Sequence, residues 1–173
     1  MIPRHATIAL RLWFWAAVLR GLKHSVPLDN LVGLMHRRPS GRRRSTELER
    51  RLEAYLEATG RFPSRPPANC LERSLGAYRL LCRANAAPEI VIGVRRAAGT
   101  IVEGHVWVTV DGRALAERAE NLASYTPIAR FDAAARRQPS GAAGNTRATT
   151  SSSHSNSRSL KLASLASYSG LAP

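Results

Sequence analysis

Apolar residues recur at helical spacing over the first half of the chain and in strand-like runs beyond it, so helices are expected first and a small sheet after them. Residues 6–24 are mostly apolar and include Trp13, Phe14 and Trp15, which predicts a helix. Pro27 followed by Leu28, Leu31, Leu34 and Met35 predicts a second, shorter one with proline near its first turn. A third is expected over residues 46–59, where Leu48, Leu52, Tyr55 and Leu56 fall at helical spacing and Gly60 follows as a stop. Pro63, Pro66 and Pro67 cannot continue it. Asn69 is a good N-cap and Glu72 completes a capping-box pattern, so a fourth helix should begin at Cys70 and run to about Ala84, burying Leu71, Leu75, Tyr78, Leu80 and Leu81.

The run from Ile90 to Val94 reads as a strand, residues 105–110 as a second, and Asp111-Gly112 as a hairpin signal leading into a third over residues 113–117. Arg130 and Phe131 are the last residues with ordinary globular composition. Residues 133–173 are rich in Ser, Ala, Gly and Thr without periodicity and are expected to form a disordered tail. The expected fold class is therefore α+β: residues 1–60 form a helical region packing on a core at 61–132, in which a further helix precedes a small antiparallel sheet.

Composition adds a charge and a compartment. The 173 residues suit one domain, and 44% hydrophobic content is enough to build a core. Against 12 Asp plus Glu stand 26 Lys plus Arg, a net charge of +14 that attracts polyanions or acidic peptides at long range. Much of the excess is in Arg37, Arg38, Arg42, Arg43 and Arg44, a run without interleaved aromatics or a nucleic-acid motif, which fits a solvated loop better than a specific nucleic-acid site. Two cysteines make no disulfide framework and lack metal-ligand spacing. Free thiols, a reducing and hence cytoplasmic compartment, and no metal or cofactor are expected. The apolar stretch from Ala6 to Leu19 is interrupted by Arg11 and falls short of the roughly 20 residues that cross a bilayer, so it is expected to pack on the core or lie in an interface, which leaves peripheral membrane contact open.

Chemistry is concentrated at Cys70 and His105. A thiol attacks only as thiolate, and a helix N-terminus favours that anion through its unpaired N–H groups and the positive end of the dipole. The backbone N–H at Cys70 could also donate to the oxyanion of a tetrahedral intermediate. By itself Cys70 is equally readable as a buried structural thiol, and His105 as a packed strand residue. Together they suggest a thiolate–imidazole pair across a helix–sheet junction. Trp107 shares a strand face with His105 and either walls the site or packs in the core. Cys82, about 120° around the helix from Cys70, is expected in the core. His5, His24, His36 and His154 lie outside this region.

Two acids compete to orient the imidazole. Asp111, six residues from His105, would be about 20 Å away along a strand. Glu117 depends on register: a two-residue Asp111-Gly112 turn would place it opposite Val106, facing away from His105. A three-residue loop with Gly112 as a left-handed bulge would pair it with His105, and this bulged form is expected.

The strings Asn69-Cys70-Leu71-Glu72-Arg73-Ser74-Leu75, Tyr78-Arg79-Leu80-Leu81, Val91-Ile92-Gly93-Val94-Arg95, His105-Val106-Trp107-Val108 and Val110-Asp111-Gly112-Arg113 resemble the lasso-peptide leader peptidases. These are bacterial maturation proteins of the transglutaminase-like superfamily, and the resemblance covers about residues 70–131. It implies a transglutaminase-like, papain-like cysteine peptidase core, with Cys70 as nucleophile, His105 as base and Glu117 as the acid twelve residues after it. It further implies a precursor-peptide substrate, a leader-binding partner and an ATP-dependent macrolactam cyclase acting afterwards. The chain departs from the family pattern at Gly104 and Val106, where Ala is frequent, at Thr109, where an acid is, and at Ala116, where an Asn is. Two other readings are an acyl transferase of the same fold and a noncatalytic basic module for nucleic acid or anionic membrane.

Overall fold

The structure is a computed structural model that describes residues 4–38, 40–41, 43–60, 69–96 and 102–139. The three prolines after α3 and the tail from residue 140 lie outside these. Four helices come first, α1 (Arg4–Leu22), α2 (Leu28–Met35), α3 (Thr46–Gly60) and α4 (Cys70–Arg83), as the periodicity predicts. Helix α4 is buried on nearly every side from Ser74 to Cys82 because the sheet covers one flank while α1, α2 and α3 pack around the rest. Close approach of α1 explains Gly76, where a Cβ would meet Leu12 Cδ2 at 3.0 Å. The buried Arg79 places its guanidinium 3.9 Å over the Trp15 ring, and its Nη1 donates to the Leu34 carbonyl at 2.9 Å, which ties α4 to α1 and α2.

The capping box forms in one direction only. The Asn69 side-chain oxygen accepts from Glu72 N at 2.9 Å, but the Glu72 carboxylate turns away to α1, where Lys23 Nζ lies at 3.0 Å and Arg20 Nη2 at 3.5 Å. A carboxylate this deeply buried needs cationic partners, and Arg20 in the last turn of α1 and Lys23 just past its end supply two. The start of α4 is thereby held by its own cap and by the last turn of α1.

The sheet is antiparallel throughout, in the order β3-β2-β1-β4-β5. Strand β1 (Pro88–Arg96) pairs with β2 (Val102–Val110) along its whole length, from Pro88 opposite Val110 to Arg96 opposite Val102. On its other edge β1 pairs with β4 (Thr126–Phe131), with a bulge at Ile92/Gly93. Strand β4 has no alternating signature because only Ala129 and Phe131 are buried. A short helix, α5 (Ala119–Leu122), precedes it. Past Phe131, the Asp132 carboxylate accepts from Ala134 N, Arg136 N and the Arg136 and Gln138 side chains, closing a turn into β5 (Arg137–Gln138). Ordered backbone therefore runs beyond residue 133, where composition places the start of a tail.

The hairpin differs from the expected bulged loop. Val110 pairs with Arg113 and Thr109 with Ala114, so the turn is the two-residue Asp111-Gly112 form. Both turn residues have positive φ, 52° and 77°, the primed geometry whose twist matches that of the flanking strands. Asp111 is further held by Arg44 Nη1 at 2.7 Å. Strand β3 (Arg113–Ala114) is correspondingly short: Leu115 N still donates to Val108 O at 2.9 Å, and Ala116, at φ 56°, then turns the chain out of the ladder.

A left-handed alanine carries a steric cost that asparagine tolerates better. Ala116→Asn is therefore expected to stabilise the fold by about 0.5 kcal/mol and raise Tm by about 2 °C. Thermal unfolding checks this; a lower Tm would contradict the strain at Ala116.

Candidate active site

Cys70 occupies the first position of α4, with Asn69 as N-cap, and its half-buried side chain meets the middle of β2. The meeting follows from the shortness of β3. In an antiparallel ladder alternate residues point their peptide groups to the same edge, so Val106, two residues before Val108, offers its N–H and C=O on the side that β3 has left. Helix α4 takes over that edge: Ser74 Oγ donates to Val106 O at 2.8 Å, a buried bond, and Val106 N–H is directed at the Cys70 sulfur. Cys70 and Ser74 are one helical turn apart, so a single face of α4 completes the sheet where the hairpin gives out.

The Cys70 thiol is hydrogen-bonded to the His105 ring. His105 Nε2 lies 3.4 Å from Glu117 Oε1. Burial pushes the Cys70 thiol up, but the His105 hydrogen bond, the N–H groups of Val106 and Leu71 and the nearby imidazolium charge together hold it below its ordinary value. His105 is raised from 6.5 to about 9, chiefly by its hydrogen bond to Cys70 and then by that to Glu117, against the opposing effect of burial. Burial likewise pushes Glu117 up, and His105 and Arg73 bring it below the usual carboxylate range. The two shifts in Cys70 and His105 point the same way, each favouring the charged form of the pair, thiolate with imidazolium.

Glu117 reaches the imidazole even though the hairpin register is the two-residue one, which by strand geometry alone turns it away. The left-handed Ala116 reverses the alternation just before it, supplying at the end of β3 the one-residue correction that the bulged turn was expected to supply at its start. Sequence reasoning missed Arg73, one helical turn after Cys70, whose Nη2 lies 3.4 Å from the same Glu117 oxygen. Its spacing of three from Cys70 was the available signal.

Trp107 is buried and its ring stacks with that of His105, centroids 5.9 Å apart at 21°, so it is both a core residue and a wall of the cluster. Tyr125, just before β4, brings its ring to 5.2 Å from His105 and 6.4 Å from Trp107, and had no sequence signal. Gly93, paired with His105, makes room for both: a Cβ there would meet Trp107 ring carbons at 2.9 Å and Tyr125 Cβ at 3.0 Å. Beside the cluster an open groove is lined by Trp107, Thr109, Arg113, Glu117, Leu122 and Arg130. Asp111 remains at the hairpin tip with Arg44, and Cys82 is buried with its thiol pushed up by burial. Among the described residues no group of three or more His, Cys, Asp or Glu side chains is placed to hold a metal ion.

The arrangement gives a polarised nucleophile, an imidazolium able to deliver a proton, and a carboxylate to hold the ring. The family model described as Transglutaminase-like superfamily matches residues 12–130. No curated protein and no solved structure matches the chain.

Proposed function

We propose, for a chain that belongs to the transglutaminase-like superfamily, that it is a cysteine peptidase removing the leader from a ribosomally made lasso-peptide precursor. The observation that carries the reading is the contact of the Cys70 thiol, at the start of α4, with a His105 ring that also faces Glu117. The resemblance of the strings around Cys70 and His105 to the leader peptidases supports the substrate class.

In the proposed reaction the Cys70 thiolate adds to the carbonyl at the leader–core junction. The resulting oxyanion accepts from the N–H of Cys70, since Glu72 N is taken by Asn69 and Leu71 N is directed at the sulfur. As the C–N bond breaks, His105 passes its proton to the leaving amine, and the leader acyl group remains on sulfur as a thioester. Neutral His105 then takes a proton from water, hydroxide adds to the thioester, and collapse releases the leader carboxylate with restoration of the ion pair. Glu117 holds the ring and stabilises its charged form, with Arg73 fixing the carboxylate. The freed core amine is what an ATP-dependent cyclase would join to an acidic side chain, and a leader-binding protein would present the precursor along the groove beside Trp107.

The test is to incubate precursor, full chain and a leader-binding protein and read the products by mass. Separate leader and core masses, differing from the precursor by one water, support the proposal; an intact precursor, or leader joined to an added amine in preference to water, contradicts hydrolysis. Glu117→Gln is expected to retain measurable cleavage with kcat reduced about 10- to 100-fold, because the amide still positions the ring but no longer stabilises its charge. Wild-type turnover by this variant would remove Glu117 from the mechanism.

A further inference from the structure

Helix α1 exposes an apolar ridge that the catalytic cluster does not use. Leu10, Trp13 and Phe14, spaced as neighbours on one helical face, are 70%, 77% and 56% exposed. Phe14 packs edge-on against Trp15 with centroids 5.2 Å apart. Trp15 lies under the Arg79 guanidinium, and Arg79 bonds the carbonyl of Leu34, itself 47% exposed. This chain of contacts brings the end of α2 beside the part of α1 that carries the aromatic ridge.

The same region carries cations without counter-charges. The first 28 residues contain no Asp or Glu. Burial lowers the guanidinium pKa of Arg79, and the charges of Arg37 and Arg83 lower it further. Burial acts likewise on Arg83, with Arg11 and Arg37 adding to it. Arg44, by contrast, is paired with Glu49 and Asp111, and Arg113 with Glu53. Among the described residues, Arg11, Arg37 and Arg83 have no carboxylate within ion-pair distance.

We infer that this face docks onto an anionic lipid bilayer, with Leu10, Trp13 and Phe14 in the headgroup–acyl boundary and Arg11, Arg37 and Arg83 on the lipid phosphates. Tryptophan and phenylalanine beside arginine on a surface helix satisfy the two chemistries of that boundary together. A second copy of the chain is a poor match, because a two-fold contact would bring the unpaired guanidinium cluster toward itself. No helix of the described residues is long and apolar enough to cross a membrane, so the contact is peripheral.

Leu12 and Trp15 of α1 lie against Gly76 and Arg79 in the middle and far half of α4, whereas Arg20 and Lys23 lie against Glu72 near its start. The ridge therefore lies toward the Arg83 end of α4, while Cys70 begins the other end, about 20 Å away along the helix. Docking leaves the thiol accessible, and the inference does not depend on the peptidase reading.

The experiment is co-sedimentation of the full chain with vesicles of phosphatidylcholine alone and of equimolar phosphatidylcholine and phosphatidylglycerol, alongside tryptophan emission. Binding to the mixed vesicles only is expected, with blue-shifted emission and affinity that falls as salt is raised. Trp13→Ala with Phe14→Ala, and separately Arg37→Glu with Arg83→Glu, are each expected to weaken binding by about tenfold or more while leaving thermal unfolding and basal peptidase activity unchanged. Failure of the wild type to bind mixed vesicles at low salt overturns the inference. So does a dimer dissociated by Trp13→Ala, or binding to duplex DNA that survives the aromatic replacements and competes with vesicles.

Discussion

Replacing Cys70 by alanine is expected to abolish precursor cleavage, lowering kcat by at least about 10⁴-fold while leaving the fold intact. The reasoning starts from position: Cys70 is the first residue of α4, where alanine is compatible with helix geometry, and the cap bond from Glu72 N to Asn69 does not involve the sulfur. What disappears is the only atom of the proposed cluster able to form a covalent acyl-enzyme. Rapid acid quench of the wild type with precursor should reveal a mass increase equal to the leader acyl group, mapped to the peptide containing Cys70 and absent from the variant. Residual cleavage at a tenth of the wild-type rate would assign the nucleophile elsewhere.

The second large effect concerns His105. His105→Ala is expected to reduce cleavage by about 10³-fold or more and to change the shape of its pH dependence. In the wild type the thiol is held below its ordinary value and gains negative charge early as pH rises, whereas the imidazole keeps its proton until pH passes about 9. The reactive ion pair is populated between these limits. Activity should rise as pH climbs through the lowered thiol value and fall as His105 loses its proton near 9. In the variant the sulfur loses the strongest influence holding it down, burial prevails, and the remaining thiol reactivity should appear only at alkaline pH. A wild-type profile that keeps rising past pH 10 would contradict the assignment of the upper limb to His105.

The helices and the place of Cys70 at the start of α4 were legible because each carries a local signal. Apolar spacing marks α1 to α4, and Asn69 with Glu72 marks the start at Cys70. Strands β1 and β2 were readable from their buried aliphatic runs, and Asp111-Gly112 announced a turn. The turn differs from the bulged form because that form follows only from regular alternation as far as residue 117. The strand ends at Ala114, and a left-handed alanine, a residue with little tendency to such a conformation, restores the facing of Glu117.

What could not be read depended on tertiary contact. Strand β4 buries only two residues and so lacks a pattern, although it supplies the far edge of β1. Tyr125 enters the cluster through the spacing of β4 from β2 across Gly93, which no local rule anticipates. Glu72 looked like the second half of a capping box, yet its carboxylate is held by α1 instead. The basic run was read as one solvated loop; Arg44 is in fact engaged by α3 and the hairpin tip, while Arg37 belongs to the unpaired cluster beside Arg79.

The most direct measurement is the rate of iodoacetamide alkylation of Cys70 against pH, followed by mass mapping in the wild type and in His105→Ala. Only two cysteines are present, and the buried Cys82, its thiol pushed up, serves as the internal reference. The thiolate–imidazolium pair predicts that Cys70 is modified rapidly at pH values below the ordinary thiol range while Cys82 stays unreactive, and that His105→Ala moves the Cys70 transition upward. Alkylation of Cys70 that begins only in the ordinary thiol range and is unaffected by His105→Ala would contradict it.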